Sequence, residues 1–178
     1  MSRIFLSLAV IANSGLWLSL WYGLSIDAGA ADMEATRRSV SMHLLTALGA
    51  SLLVLMMHAV VLTYFMGTGR WIEETSAAYR LPEELHRRSI RLKYRAIPGL
   101  VLCFVLVIVT GAVGAQADPL ARAGNEWIAT AHFTLAVLTV LVNLGVSMLE
   151  YGAIRTNGGL IAQVVAEVRR IRAERGLP

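Results

Sequence analysis

Charged side chains are missing from four long stretches of this chain: between Arg3 and Asp27, Arg38 and Arg70, Arg95 and Asp118, and Glu126 and Glu150. Each stretch exceeds the roughly 20 apolar residues that cross a hydrocarbon core about 30 Å thick. Segments such as "LVLCFVLVIVTGAVGA" do not alternate polar with apolar positions, so strands of a barrel are excluded and helices remain. The spacing predicts transmembrane helices near residues 4–26, 42–66, 97–117 and 127–150. The expected fold is all-α: an integral membrane four-helix bundle over 1–152, followed by an amphipathic cytoplasmic C-terminal helix over 153–178. A hydrophobic content of 56% and a mean hydropathy of +0.61 belong to the same class. The first apolar run is longer than the core of a secretory signal and is read as a retained helix.

Lys and Arg set the orientation. Arg3, the seven basic residues of the second loop (Arg70, Arg80, Arg87, Arg88, Arg91, Lys93 and Arg95) and Arg155, Arg169, Arg170, Arg172 and Arg175 fall on one side, leaving only Arg37, Arg38 and Arg122 on the other. The positive-inside rule then puts both termini and the long second loop in the cytoplasm of a multi-pass cell-membrane protein. The net charge of +4 is met by anionic lipid headgroups at the cluster "HRRSIRLKYR", and no nucleic-acid partner is expected. Cys103 is the sole cysteine, which excludes an intramolecular disulfide and a cysteine-based zinc site.

Two interruptions are expected along the chain. Gly67 and Gly69 can end the second helix in a left-handed cap, and the next helix resumes at "LPEELHRR", with Pro82 suited to its start and Glu83 and Glu84 to its positive end. Pro98 should bend or start the third span. Asn157, Gly158 and Gly159 should separate the fourth span from a short amphipathic helix carrying Ile161, Val164, Val165, Val168 and Ile171. No clear internal repeat is visible.

The fourth span carries a polar stripe. His132, Thr139, Asn143 and Glu150 recur at helical spacing and share one face. On the second span His43 and His58 both look into the bundle. Measured from the midpoint of each span at about 1.5 Å per residue, His58 and Asn143 fall at the same depth and suggest an interhelical hydrogen bond. Glu150, near the inner interface, is expected to be solvated or to reach a basic residue such as Arg70. His43 and His132 lie toward the outer side, with a depth mismatch of about 7 Å.

Intramembrane ionisable groups point to function. Near His43 and His132 the helices turn small, at Gly49, Ala50, Gly111, Gly114, Ala115, Ala129 and Ala131, and Arg37, Arg38 and Arg122 stand on the outer rim. Two imidazoles, an apolar slot and cations for propionates are what a non-covalent b-type haem needs. Copper or zinc on the same two histidines is a rival, with Met42 or outer carboxylates as further ligands. No phosphate loop, nucleophile elbow or zinc-protease motif is present, so no enzyme activity is expected. Two readings result: a non-catalytic accessory or scaffolding subunit of a membrane complex, in which the stripe is glue and a partner or second copy is recruited, or an electron-transfer subunit with His43 and His132 as axial ligands.

Overall fold

The computed structural model describes residues 1–26, 32–119 and 126–176. Among them the regular structure is helical: α1 (Ser2–Leu24), α2 (Met33–Tyr79), α3 (Glu83–Gln116) and α4 (Glu126–Glu174). All four are long and apolar enough to cross a membrane. Large apolar side chains such as Leu44, Leu45, Leu52, Ile108, Leu141, Met148 and Leu149 cover the outside, a surface suited to lipid tails and not to water.

Helix α1 packs most extensively on α2, and α3 on α4; α2 also touches α3, and α1 touches α4. Across the bundle α2 meets α4, whereas α1 and α3 make no contact among the described residues. The bundle is therefore a flattened ring with α2 and α4 on its short diagonal. Its core comprises Phe5, Ala9, Ala12 and Leu16 of α1, Ala50, Val54, Met57, Val61 and Phe65 of α2, Val107 of α3, and Val140 and Ile154 of α4. Small residues on α1 bring α2 close: a Cβ added to Gly15 would lie 3.1 Å from Cβ of Ala50.

Both expected interruptions are overturned. Helix α2 runs through Gly67 and Gly69 to Tyr79, and α4 runs through Asn157, Gly158 and Gly159 to Glu174. At 47 and 49 residues these helices are each about 70 Å long, more than twice the thickness of a hydrocarbon core. The ends of α2 and α4 and the start of α3 form a three-helix extension around Ile72, Leu81, Leu160 and Val164, flanked by Leu85, Leu92, Val168 and Ile171. A helical glycine costs about 1 kcal/mol against alanine, less than the burial of one of these side chains returns, so packing overrides the local signal. At Gly69 an added Cβ would meet Oγ of the buried Ser89 at 3.6 Å, an ordinary contact, so the helix does not depend on glycine there. Asn157, fully buried, donates to Oγ1 of Thr68 at 2.9 Å. Pro98 lies inside a continuous α3 and starts no helix.

The caps are local. Oδ1 of Asp32 accepts from the backbone of Glu34 and Ala35 at the start of α2. At its end Arg80 takes the left-handed conformation (φ 53°), and the amide of Leu81 returns to the carbonyl of Ser76 at 2.9 Å. Pro82 caps α3, with Glu83 and Glu84 in the first turn. Arg70 pairs with Glu74, and Arg87 with Glu83, on the exposed faces of the extension, where such pairs add little stability. Arg170, hydrogen-bonded to Glu167, holds that carboxyl below its usual range.

The left-handed cap yields a test. Arg80→Gly should be neutral or stabilise by up to about 1 kcal/mol, whereas Arg80→Val should destabilise by about 1–2 kcal/mol. Thermal unfolding in detergent, followed by helical circular dichroism, separates the two; equal behaviour would mean that the turn is not held at that residue.

Candidate functional site

Two polar centres occupy the interior of the bundle. The one nearer the N-terminal ends of α2 and α4, named outer after the orientation expected from the charges and its companion inner, joins the expected pair. The rings of His43 on α2 and His132 on α4 lie with centroids 6.1 Å apart and planes 80° apart. Nδ1 of His43 is 2.9 Å from the carbonyl oxygen of Ser19 on α1, and Nδ1 of His132 is 3.2 Å from that of Thr110 on α3. A carbonyl oxygen only accepts, so each Nδ1 carries hydrogen and each neutral ring keeps its lone pair on Nε2. The rings rest on glycines: a Cβ on Gly23 would lie 3.1 Å from Cε1 of His43, and one on Gly114 only 2.7 Å from Cε1 of His132. Each helix thus supplies one part, a carbonyl and a glycine from α1 or α3, an imidazole from α2 or α4.

These correspondences extend along the bundle. Ser19 and Gly23 match Thr110 and Gly114 at an offset of 91 residues, and His43 matches His132 at an offset of 89. Under the same offsets buried Ala9, Ala12 and Leu16 match buried Leu100, Cys103 and Val107, and buried Ala50, Val54, Met57, His58, Val61 and Phe65 match buried Thr139, Asn143, Val146, Ser147, Glu150 and Ile154. Contacts repeat as well. Asn13 hydrogen-bonds Ser147, and its counterpart Phe104 makes a ring contact with His58, the counterpart of Ser147. Over these positions the hairpins α1–α2 and α3–α4 match in burial and contacts, an approximate two-fold relation in which His43 and His132 face each other. The repeat hides in the sequence because it conserves a pattern, a hydroxyl residue, glycine four positions on, then histidine, and few identities.

The repeat also corrects the depth ruler. The assumed midpoints of the second and fourth spans, near 54 and 138, are about five residues closer than the 89-residue offset of the matching positions, which is roughly 7 Å along a helix. That is the whole of the expected mismatch. Both ends contribute about equally: Glu126 and Glu150, whose charges bound the uncharged stretch, place its start and its end four to five residues too early. Glu150 is not solvated, nor does it reach Arg70; it is 1% exposed and faces His58.

The inner centre is built around His58, which is fully buried. Its Nδ1 lies 2.9 and 3.0 Å from the carboxylate oxygens of Glu150, and its Nε2 lies 3.0 Å from Oδ1 of Asn143. Nδ2 of Asn143 donates to Oδ1 of Asn13 at 3.0 Å, and Nδ2 of Asn13 donates to the carbonyl of Ala9 at 2.8 Å. Ser147 accepts from Asn13 and donates to the carbonyl of Asn143. The carbonyl of Ala9 fixes every direction in this chain. Asn13 must turn its amide nitrogen toward it, which leaves Asn13 Oδ1 to accept, Asn143 to donate, and Asn143 Oδ1 to accept from His58. Nε2 of His58 therefore carries hydrogen, and one proton is shared between Nδ1 and Glu150. Between the two centres Thr110 and Thr139 join α3 to α4 through hydroxyls 2.7 Å apart.

The sequence reading undervalued Asn13, Ser147 and Thr110. Asn13 is the one amide side chain in an otherwise apolar first span, and it falls on the stripe of Phe5, Ala9, Ala12 and Leu16; that coincidence was the available signal. Arg37 and Arg38 are exposed on the outer end of α2, and Arg122 lies outside the described residues. No group of three or more His, Cys, Asp or Glu side chains converges among the described residues. A copper or zinc ion would thus find two protein ligands where zinc sites use three or four. Comparison with protein-family models, with curated proteins and with solved structures returned no match.

The hydrogen accounting makes a prediction. Glu150→Ala strands the buried imidazole and should cost about 3–5 kcal/mol. Glu150→Gln can donate to Nδ1 while Nε2–H still bonds Asn143, so it should stay within about 1 kcal/mol of wild type. Unfolding in detergent compares them, and equal losses would contradict the assigned directions.

Proposed function

We propose that this protein is a multi-pass cell-membrane subunit, with both termini and the three-helix extension in the cytoplasm, that carries electrons through one non-covalent b-type haem ligated by Nε2 of His43 and His132. The observation that carries this reading is the paired histidine geometry. Metal-binding histidines donate their second nitrogen to a carbonyl or carboxylate, as both do here. An ion about 2 Å from each of two imidazole nitrogens sets the ring centroids roughly 6 Å apart, which matches 6.1 Å. Haem iron brings four nitrogens of its own and needs only two from the protein, so a pair without a third ligand favours haem over copper or zinc. Gly23 and Gly114 leave room where a larger residue would push the rings aside.

The other reading, a non-catalytic accessory or scaffolding subunit, is favoured by the inner centre, where α1, α2 and α4 are tied by side-chain hydrogen bonds that need no cofactor. The two readings differ in colour. Protein expressed with sufficient haem and purified in mild detergent should show a sharp alpha band on dithionite reduction. His43→Ala and His132→Ala should each abolish it, Gly114→Ala should weaken it by displacing the ring, and Gly49→Ala, whose added methyl meets open space, should leave it unchanged. Folded, colourless wild-type protein under these conditions would leave the scaffold.

A further inference from the structure

The two hairpins differ at their outer ends. Trp21, Tyr22 and Ser25 of α1 and Arg38, Ser39 and Met42 of α2 line a cavity of about 270 Å³. Ser39 precedes His43 by one turn and shares its face, Met42 adjoins it, and Tyr22 adjoins Gly23, on which the His43 ring rests. The cavity thus lies about one helical turn beyond the His43 ring, toward the start of α2. Its lining joins aromatic walls, two hydroxyls and one cation. At the matching positions of the second hairpin stand Ala112, Val113, Gln116, Trp127, Ile128 and Ala131, none of them charged. No carboxylate among the described residues pairs with Arg38, in contrast to Arg70, Arg87, Arg91 and Arg170. Arg37, its neighbour, does not line the cavity.

Resting on the haem reading above, we propose that this cavity receives the carboxylate edge of the haem, with Arg38 as counter-charge and Ser39 as hydrogen-bond donor, the Ser25 hydroxyl being spent on the carbonyl of Trp21. The haem then sits in one direction only, its two carboxylates toward the first hairpin and the outer surface. An approximate two-fold site would otherwise accept it in two. Arg38 acts as a positioning residue and Arg37 does not.

The test uses the full-length protein in detergent, reconstituted either with haem b or with its dimethyl ester, which lacks the free carboxylates. Wild type should retain haem b at least tenfold longer than Arg38→Ala against a haem-scavenging protein, and Arg37→Ala should match wild type. The dimethyl ester should be lost at similar rates from wild type and from Arg38→Ala. Removing the cation should also lower the midpoint potential, because reduction adds negative charge near it, and Arg38→Lys should restore most of that shift. A wild type that shows no alpha band removes the haem reading, and this proposal with it. A coloured wild type whose Arg38→Ala equals Arg37→Ala in retention and in potential overturns this proposal and leaves the haem reading intact. Should Arg38→Ala fail to fold, the ratio of haem b to ester retention in wild type and Arg38→Lys carries the same decision: a ratio near one in wild type overturns it.

Discussion

A polar group inside a lipid-facing bundle has no water to fall back on, so it must find its partner within the protein. Here that requirement orders the interior. The stripe on α4 includes a carboxylate, an amide, a hydroxyl and an imidazole on one face, and together they reach all three other helices: Glu150 and Asn143 reach His58 of α2, Asn143 also reaches Asn13 of α1, Thr139 reaches Thr110 of α3, and His132 reaches the backbone of Thr110. Apolar contacts alone discriminate weakly between rotations of a helix among lipid tails. Rotating α4 by a quarter turn would strand all these groups at once, so the polar stripe fixes the register that the apolar residues fill.

The duplicated hairpin explains why the two centres differ in character. On the two-fold axis a residue and its copy meet each other, and the pair formed is of like groups, His43 with His132. Away from the axis each copy meets its own surroundings and can diverge. The inner level has done so: His58 matches Ser147, Asn13 matches Phe104, Asn143 matches Val54, and Glu150 matches Val61. Each polar residue of the inner centre has a partner drawn from the other hairpin, which turns two similar halves into one unit that cannot be assembled in exchanged positions. The outer pair is thus two like groups facing each other, and the inner set ties one half to the other.

Much of this was legible in the sequence and the rest failed for identifiable reasons. Four helices followed from uncharged length, and the facing of His58, Asn143, His43 and His132 followed from 3.6-residue periodicity, because both signals are one-dimensional. Glycines at 67, 69, 158 and 159 suggested breaks that do not exist, since the apolar contacts of Ile72, Leu160 and Val164 that hold the helices straight come from distant segments. Glu150 misled for the opposite reason. Its charge reads as a water-facing end only while its partner, 92 residues away, is unknown. Asn13 is legible as a residue that back-bonds or hydrogen-bonds a neighbour, and it does both, but only the approach of Asn143 and Ser147 selects which neighbour.

What the interior can transmit follows from the same accounting. The polar side chains from His132 to Glu150 cover eighteen residues of α4, about 27 Å, enough to suggest a proton path across most of a bilayer. The directions of the hydrogen bonds close that path. An amide is a poor relay: Nδ2 of Asn143 donates to Asn13 and has no lone pair to offer, and its Oδ1 already accepts from His58. Asn13 is held in turn by the carbonyl of Ala9, so neither amide can flip without burying two like dipoles face to face. The inner proton stays between His58 and Glu150, and the chain of amides separates it from the outer imidazoles. On the haem reading proposed above, the outer pair would then carry an electron on the iron, set apart from the inner proton by these amides.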